Sequence, residues 1–123
     1  MRELPKKISL MAAQTGSPTG SAKSLGGRKI VGFQFTRSAH SSGSTLFTIF
    51  GSMDNGANFA QFNMLISNVA NTNSQTITRV ASITLGANGT STCPVDDFVE
   101  FTDVYAVAVN TTDGAATVDA LVI

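Results

Sequence analysis

Tryptophan is absent from this 123-residue chain, and cysteine, histidine and tyrosine occur once each, as Cys93, His40 and Tyr105. A single cysteine excludes an internal disulfide. Charged residues make up 13% of the chain, about half the usual ~25%, which excludes a coiled coil and a disordered acidic or basic chain. No apolar run approaches the ~18 residues that a membrane-spanning helix needs. No nucleophile, base and orienting group stand in any familiar catalytic spacing.

Small and neutral polar residues fill the space left by charge. Ser, Thr, Asn and Gly supply 47 of the 123 positions, while hydrophobic content is an ordinary 42%. That balance fits one β-rich domain, and about 120 residues can bury a core without staples.

The charges are segregated along the chain. Residues 1–37 carry seven basic side chains against Glu3 alone, a net of +6, and residues 38–123 carry Arg79 against seven acids, a net of −6. The acidic remainder argues against binding a polyanion, so nucleic acid is not an expected partner. A basic arm lying on an acidic surface fits better, with scattered solvated charge as the plainer alternative. The apolar stretch 8–13 is interrupted by Ser9 and is short for a signal peptide, so the N-terminus is read as part of the mature chain, made in the cytoplasm.

Residues 15–27, TGSPTGSAKSLGG, have linker composition, which divides the chain into an N-terminal arm and linker over 1–27 and a β-domain over 28–123. Alternation predicts strands over 28–37, 45–52, 59–66, 76–85 and 115–123, with 104–109 apolar throughout and so expected to be a central strand covered on both faces. Turns are expected at 38–44, at Asp54-Asn55-Gly56, over 68–75 and 86–92, and as a hairpin connection at 111–114. The arm and the region 93–95 are possible further strands. Helical periodicity with caps is missing, so the expected class is an all-β, antiparallel β-sandwich or jelly roll. The strands 28–37 and 115–123 are candidates for sheet edges.

The residues that could carry chemistry point away from it. His40 stands among serines with Asp54 as an imaginable third partner, but without a nucleophile elbow it reads as a loop residue. Cys93, beside Pro94 in an acidic stretch, reads as a buried small residue. Asp96, Asp97, Glu100 and Asp103 are spaced unlike a calcium loop and read as an acidic patch. Asn88 and Asn110 match the glycosylation pattern, as an Asn- and Thr-rich chain does by chance. No cofactor or metal is expected. A sugar-binding module would show exposed aromatic platforms, whereas Tyr105 lies in the apolar strand and most of the eight Phe fall on core positions.

The segment Phe50-Gly-Ser-Met-Asp-Asn-Gly-Ala-Asn-Phe59 resembles a pattern of small β-sandwich virion proteins of tailed bacteriophages, in which a strand ends in G-S-x-D, turns through Gly and resumes at an aromatic residue. The stretch from Tyr105 to Val118 and the Gly/Ser/Thr-rich lead-in are similar to the same group. The resemblance implies a non-enzymatic, capsid-associated structural protein, foremost a head decoration (cement) protein that binds the major capsid protein, often as a homotrimer, with a neck, tail or head-fibre component as the alternative. The sandwich fold by itself, which hosts many lectins, leaves a carbohydrate- or cell-surface-binding module as another. Two placements are open for the arm. It is either the first strand of the protein's own sheet, or a tether in which Leu4, Ile8 and Leu10 fill apolar pockets of a neighbour while Arg2, Lys6 and Lys7 meet acidic groups there.

Overall fold

A computed structural model describes residues 6–39, 41–71, 74–95 and 100–123. The strands are β1 (Lys6–Gln14), β2 (Lys23–Ser24), β3 (Ile30–Ser38), β4 (Thr45–Ser52), β5 (Ala60–Gln61), β6 (Met64–Asn71), β7 (Ser74–Val80), β8 (Ser82–Leu85), β9 (Gly89–Pro94), β10 (Asp103–Asn110) and β11 (Ala115–Val122). Every ladder is antiparallel. One sheet has the order β1-β11-β3-β9; the second has β2-β10-β4-β5, with β8 also on β4; β6 and β7 form a separate two-stranded ladder. The protein is an all-β antiparallel sandwich, and no helix occurs among the described residues.

Alternation builds the core. Phe33 and Phe35 of β3 point inward from the first sheet, Phe47 and Ile49 of β4 from the second, and all four are fully buried. The Phe35 and Phe47 rings meet across the sandwich with centroids 5.1 Å apart. These bulky rings are accommodated because β10 and β11 turn alanines inward, at Ala106, Ala108, Ala116 and Ala120. Large residues on some strands and small ones on others let the two layers interdigitate at native density.

Several expectations from the sequence are corrected. The strand expected over 59–66 breaks at Phe62, whose side chain drops into the core while its amide donates to the Ile49 carbonyl at 2.9 Å. The strand expected over 76–85 breaks at Ala81, its first half pairing with β6 and its second with β4. The polar stretches 68–75 and 86–92 carry strand: β6 runs to Asn71, β7 starts at Ser74, and β9 starts at Gly89. Threonine-rich composition reads as loop by polarity, yet Thr is β-branched and suits an edge ladder.

The expected hairpin at 111–114 is a crossover. β10 lies in the second sheet and β11 in the first, so the four residues carry the chain from one layer to the other. Arg37 explains why the passage is tight. This buried side chain donates from Nη1 to the Gly43 carbonyl at 2.9 Å, and from Nη2 to the carbonyls of Ser42 at 2.9 Å and Asp113 at 3.0 Å. A side chain at Gly114 would stand 3.0 Å from Nε, so the crossover needs glycine there. The Asp113 carboxylate, 3.8 Å from Nη2, also accepts from the amides of Ser41 and Ser42 and from the Ser41 hydroxyl.

The strands at 28–37 and 115–123, considered as edges, are both interior in the first sheet, whose edges are β1 and β9. β10 is central but buried on one face only: Val104, Ala106 and Ala108 are inward, and Val109 is 36% exposed on the other side.

The N-terminal region is built into the sandwich from Lys6 onward. β1 pairs with β11 from Lys6↔Val122 to Gln14↔Ala116, and Leu10 and Met11 belong to the core. Of the two placements open for the arm, this is the first. Residues 16–25, linker by composition, run along the free side of β10. The carbonyls of Gly16 and Pro18 accept from Asn110 and Ala108, Gly20 donates to Ala106, and Leu25 donates to Thr102, all within 2.8–3.0 Å. Pro18 is suited to this edge because its carbonyl alone is needed. The buried Asn110 side chain fixes the passage between sheets, accepting from Thr45 Oγ1 at 2.6 Å and donating to the carbonyls of Gln14 and Gly16.

Candidate interaction face

The outer faces of the two sheets differ in chemistry. On the first sheet, β3 presents Gln34 and Thr36, β9 presents Thr90 and Thr92, and β11 presents Thr117 and Asp119. Gln34 donates to Thr92 across the strands at 3.3 Å, and the Thr36 and Thr90 hydroxyls are 3.0 Å apart. A half-solvated antiparallel sheet is expected to look like this.

The second sheet departs from that rule at its two central strands. The outward residues of β4 are Leu46, Thr48 and Phe50, and their cross-strand partners on β10 are Val109, Val107 and Tyr105. Five of these six side chains are apolar or aromatic, and none is charged. Leu46 is 37% exposed beside Val109, so the pair forms an open aliphatic end. At the other end the rings of Phe50 and Tyr105 stack with centroids 5.0 Å apart and an 11° interplanar angle. Phe59 stands edge-on against Tyr105 at 4.9 Å, so this end is the taller one. Cross-strand aromatic pairs contribute roughly 0.5–1.5 kcal/mol beyond area burial, which holds the cluster in shape without covering it.

The aromatic end is braced by the turn after β4. Asn55 and Gly56 take φ of 59° and 85°, the left-handed pair that an Asn-Gly turn supplies cheaply. Asp54 organises the loop: its carboxylate accepts from the Ser52 hydroxyl at 2.7 Å, the Asn58 amide at 2.9 Å and the Asn58 side chain at 2.7 Å. The Asn58 side-chain hydrogen bond and then that from Ser52 lower the Asp54 pKa to about 2. The G-S-x-D segment is therefore a self-contained bracket that delivers Phe59 to Tyr105.

The residues singled out as partner-binding fall in three groups. Arg2 and Leu4 lie outside the described residues. Lys6 and Lys7 are exposed on the edge strand β1, free in position to meet an acidic partner. Ile8 is half-buried against the core and Leu10 is 3% exposed within it, so Leu10 offers no surface to a neighbour. His40, Asp96 and Asp97 also lie outside the described residues. Glu100 is exposed, while Asp103 is half-buried in β10 between Ser24 and Ser52. No group of three or more metal-ligating side chains is found among the described residues. Cys93 is buried, and burial pushes its thiol pKa up. Asn110 spends its side-chain amide on two carbonyls inside the protein, which removes it as a glycan acceptor in the folded chain.

Described residues line two clefts of note. One of about 370 Å³ runs between β1 and residues 18–23, and one of about 480 Å³ lies between the Gly26-Gly27 turn, Met53 and Phe101. The first has a mixed lining, from Leu10 and Met11 to Ser21 and Lys23, with no acidic, histidine or cysteine side chain in it. The second has Arg28, Lys29 and Glu100 among its lining residues, two cations and one anion. Sequence reasoning missed the interaction face because Tyr105 and Phe50 sit within alternating or wholly apolar runs. The signal was present in the even-numbered residues of β4: Leu46 and Phe50 stand where a solvated face would carry polar groups.

No protein-family model and no curated protein matches this chain.

Proposed function

We propose that this chain is a non-enzymatic structural protein of a virion that decorates and stabilises a phage capsid by binding the major capsid protein. The reading is carried by the uncovered apolar face of β4 and β10, a kind of surface that marks an interaction site. The G-S-x-D bracket, whose sequence resembles that of small virion sandwiches, builds one end of that face. Short Ser, Thr and Asn side chains over the rest of the surface lose little rotamer entropy when packed into a lattice. Lys6 and Lys7 add a basic edge for acidic groups on the shell.

The test is addition of purified protein to mature capsids that lack it. Binding at saturable stoichiometry and a rise in capsid melting temperature are expected, with Lys6→Glu/Lys7→Glu weakening the binding and added salt weakening it further. Failure to bind any capsid surface would remove the reading. The half-exposed trio Phe50, Phe59 and Tyr105 favours a second reading, a carbohydrate-binding sandwich that stacks sugar faces on aromatic rings. Glycan-array binding that is lost in Tyr105→Ala would favour that reading over the first.

A further inference from the structure

We infer that the outer face of β4 and β10 is covered by the same face of a second copy of this chain, forming a twofold dimer whose axis runs across the strands near the Thr48–Val107 pair. This rests on the reading that the chain works within an assembly; it gives this face to a second copy and leaves the exposed Lys6–Lys7 edge for the shell.

Three observations point to a second copy. The first is size. The eight-residue strands β4 and β10 rise about 3.4 Å per residue, and with the shorter segments on either side, residues 16–24 along β10 and β5 with β8 along β4, the sheet spans roughly 19 Å, so its whole outer face covers about 500 Å² per copy. Two such faces bury on the order of 1,000 Å², the lower bound of a specific interface. A small isologous contact reaches that bound only if the whole face is used, which self-pairing does.

The second observation is shape. One end of the face is raised by Phe59 on Tyr105, and the other is low, with Leu46 beside Val109. An in-plane twofold axis across the strands sets the raised aromatic end of each copy over the low aliphatic end of the other. Sheets then pack face to face about 10 Å apart, as they do inside a sandwich. The aromatic rings gain aliphatic contacts, and neither end meets its own bulk.

The third observation is charge. The six central side chains, Leu46, Thr48, Phe50, Tyr105, Val107 and Val109, carry none. A face destined for a charged partner would hold complementary charges at its centre, and self-pairing of a charged face would bring like charges together. An uncharged centre brings no like charges together at the axis, and Asp103, in the same register as Tyr105, stands half-buried at the aromatic end away from it. The twofold arrangement differs from the homotrimer that the virion resemblance implies, and the oligomeric state decides between them.

Sedimentation velocity on the full chain, without capsid, gives the first readout. Twice the 12.8 kDa chain mass is expected at micromolar to hundred-micromolar concentration. Leu46→Lys and Val109→Lys change positions that are already about one-third exposed, so both variants fold, and both are expected to be monomeric. Thr90→Lys, on the polar outer face of the other sheet, is expected to stay dimeric. Thr48→Cys, close to the axis, is expected to cross-link to its own mate with a short bis-maleimide, whereas Thr90→Cys is not; buried Cys93 is spared. A monomer at a few hundred micromolar, a trimer, a dimer that survives Leu46→Lys, or no cross-link at Thr48→Cys would each overturn the inference. A monomer that binds capsids through this face, with binding lost in Leu46→Lys, overturns the dimer and leaves the capsid reading standing. A dimer that binds no capsid does the reverse.

Discussion

Single residues at the ends of this sandwich hold more structure than their neighbours in sequence indicate. Arg37 continues the inward face of β3 after Phe33 and Phe35, yet it is a cation with 1% exposure. Its guanidinium is tolerated because three backbone carbonyls and Asp113 surround it, and each hydrogen bond to a charged group contributes roughly 1.5–3 kcal/mol. Asp54 has the corresponding role at the opposite end. Its folded pKa, about 2, lies below the ordinary carboxylate value of 3.8, so its contribution to stability is fully present above pH ~4 and is lost as the pH falls towards 2. Replacing Asp54 with Asn is expected to lower the melting temperature at pH 7 and to flatten its pH dependence between pH 4 and 2. Thermal unfolding followed by circular dichroism at pH 2, 3, 4 and 7 checks both. An unchanged pH profile in Asp54→Asn would show that the bracket does not depend on the carboxylate.

At the scale of elements, the N-terminal segment is the part on which stability turns. β1 contributes Leu10 and Met11 to the core, and residues 16–25 close the exposed edge of β10 before Leu25 enters the core. A Cβ at Gly20 would come within 2.6 Å of the Leu10 carbonyl oxygen, a measure of how closely β1 and the following segment are pressed together. Fully burying a side chain such as Leu or Met is worth roughly 1.5–3 kcal/mol. A chain starting at Gly26 therefore loses on the order of 5 kcal/mol from Leu10, Met11 and Leu25 alone, a large share of the stability of a small domain. It is expected to be unfolded or partly unfolded at 37 °C by amide exchange or near-ultraviolet circular dichroism. A cooperative transition near that of the full chain would show that the segment is a dispensable arm after all. The same elements mark what was legible in the sequence. Strand periods at 45–52 and 115–123 and the Asp54-Asn55-Gly56 turn were readable because alternation and turn chemistry are local. The destination of each strand was not. Thr111-Thr112-Asp113-Gly114 has the composition of a hairpin loop, and only the distant Arg37, which needs both Asp113 and the space at Gly114, makes it a crossover. Residues 15–27 read as linker because their hydrogen bonds go to β10, some ninety residues away. Leu46 and Phe50 were legible as a face, though not as an uncovered one.

For the molecule as a whole, the polar first sheet and the apolar second sheet leave the core itself as the common element, and Cys93 sits within it at 1% exposure. Burial raises the thiol pKa, and access is closed, so both routes to a reactive thiolate are suppressed. Alkylation by iodoacetamide at pH 8 is expected to be far slower than for a free thiol, and its rate is expected to rise steeply with urea in step with global unfolding. Rapid labelling in native buffer would mean that β9 opens locally, independently of the core. The position of β11 also sets an order of events during synthesis. This strand comes last in the described chain, yet it lies between β1 and β3, and neither of those contacts the other in the ladder without it. The first sheet consequently has no centre until Val122 has left the ribosome. Until then β1 waits beside a gap, with Leu10 and Met11 uncovered, and the nascent chain relies on its Ser- and Thr-rich composition to stay in solution. Closing the first sheet thus waits on pairings between segments far apart in sequence, which makes folding slow for a domain of this size.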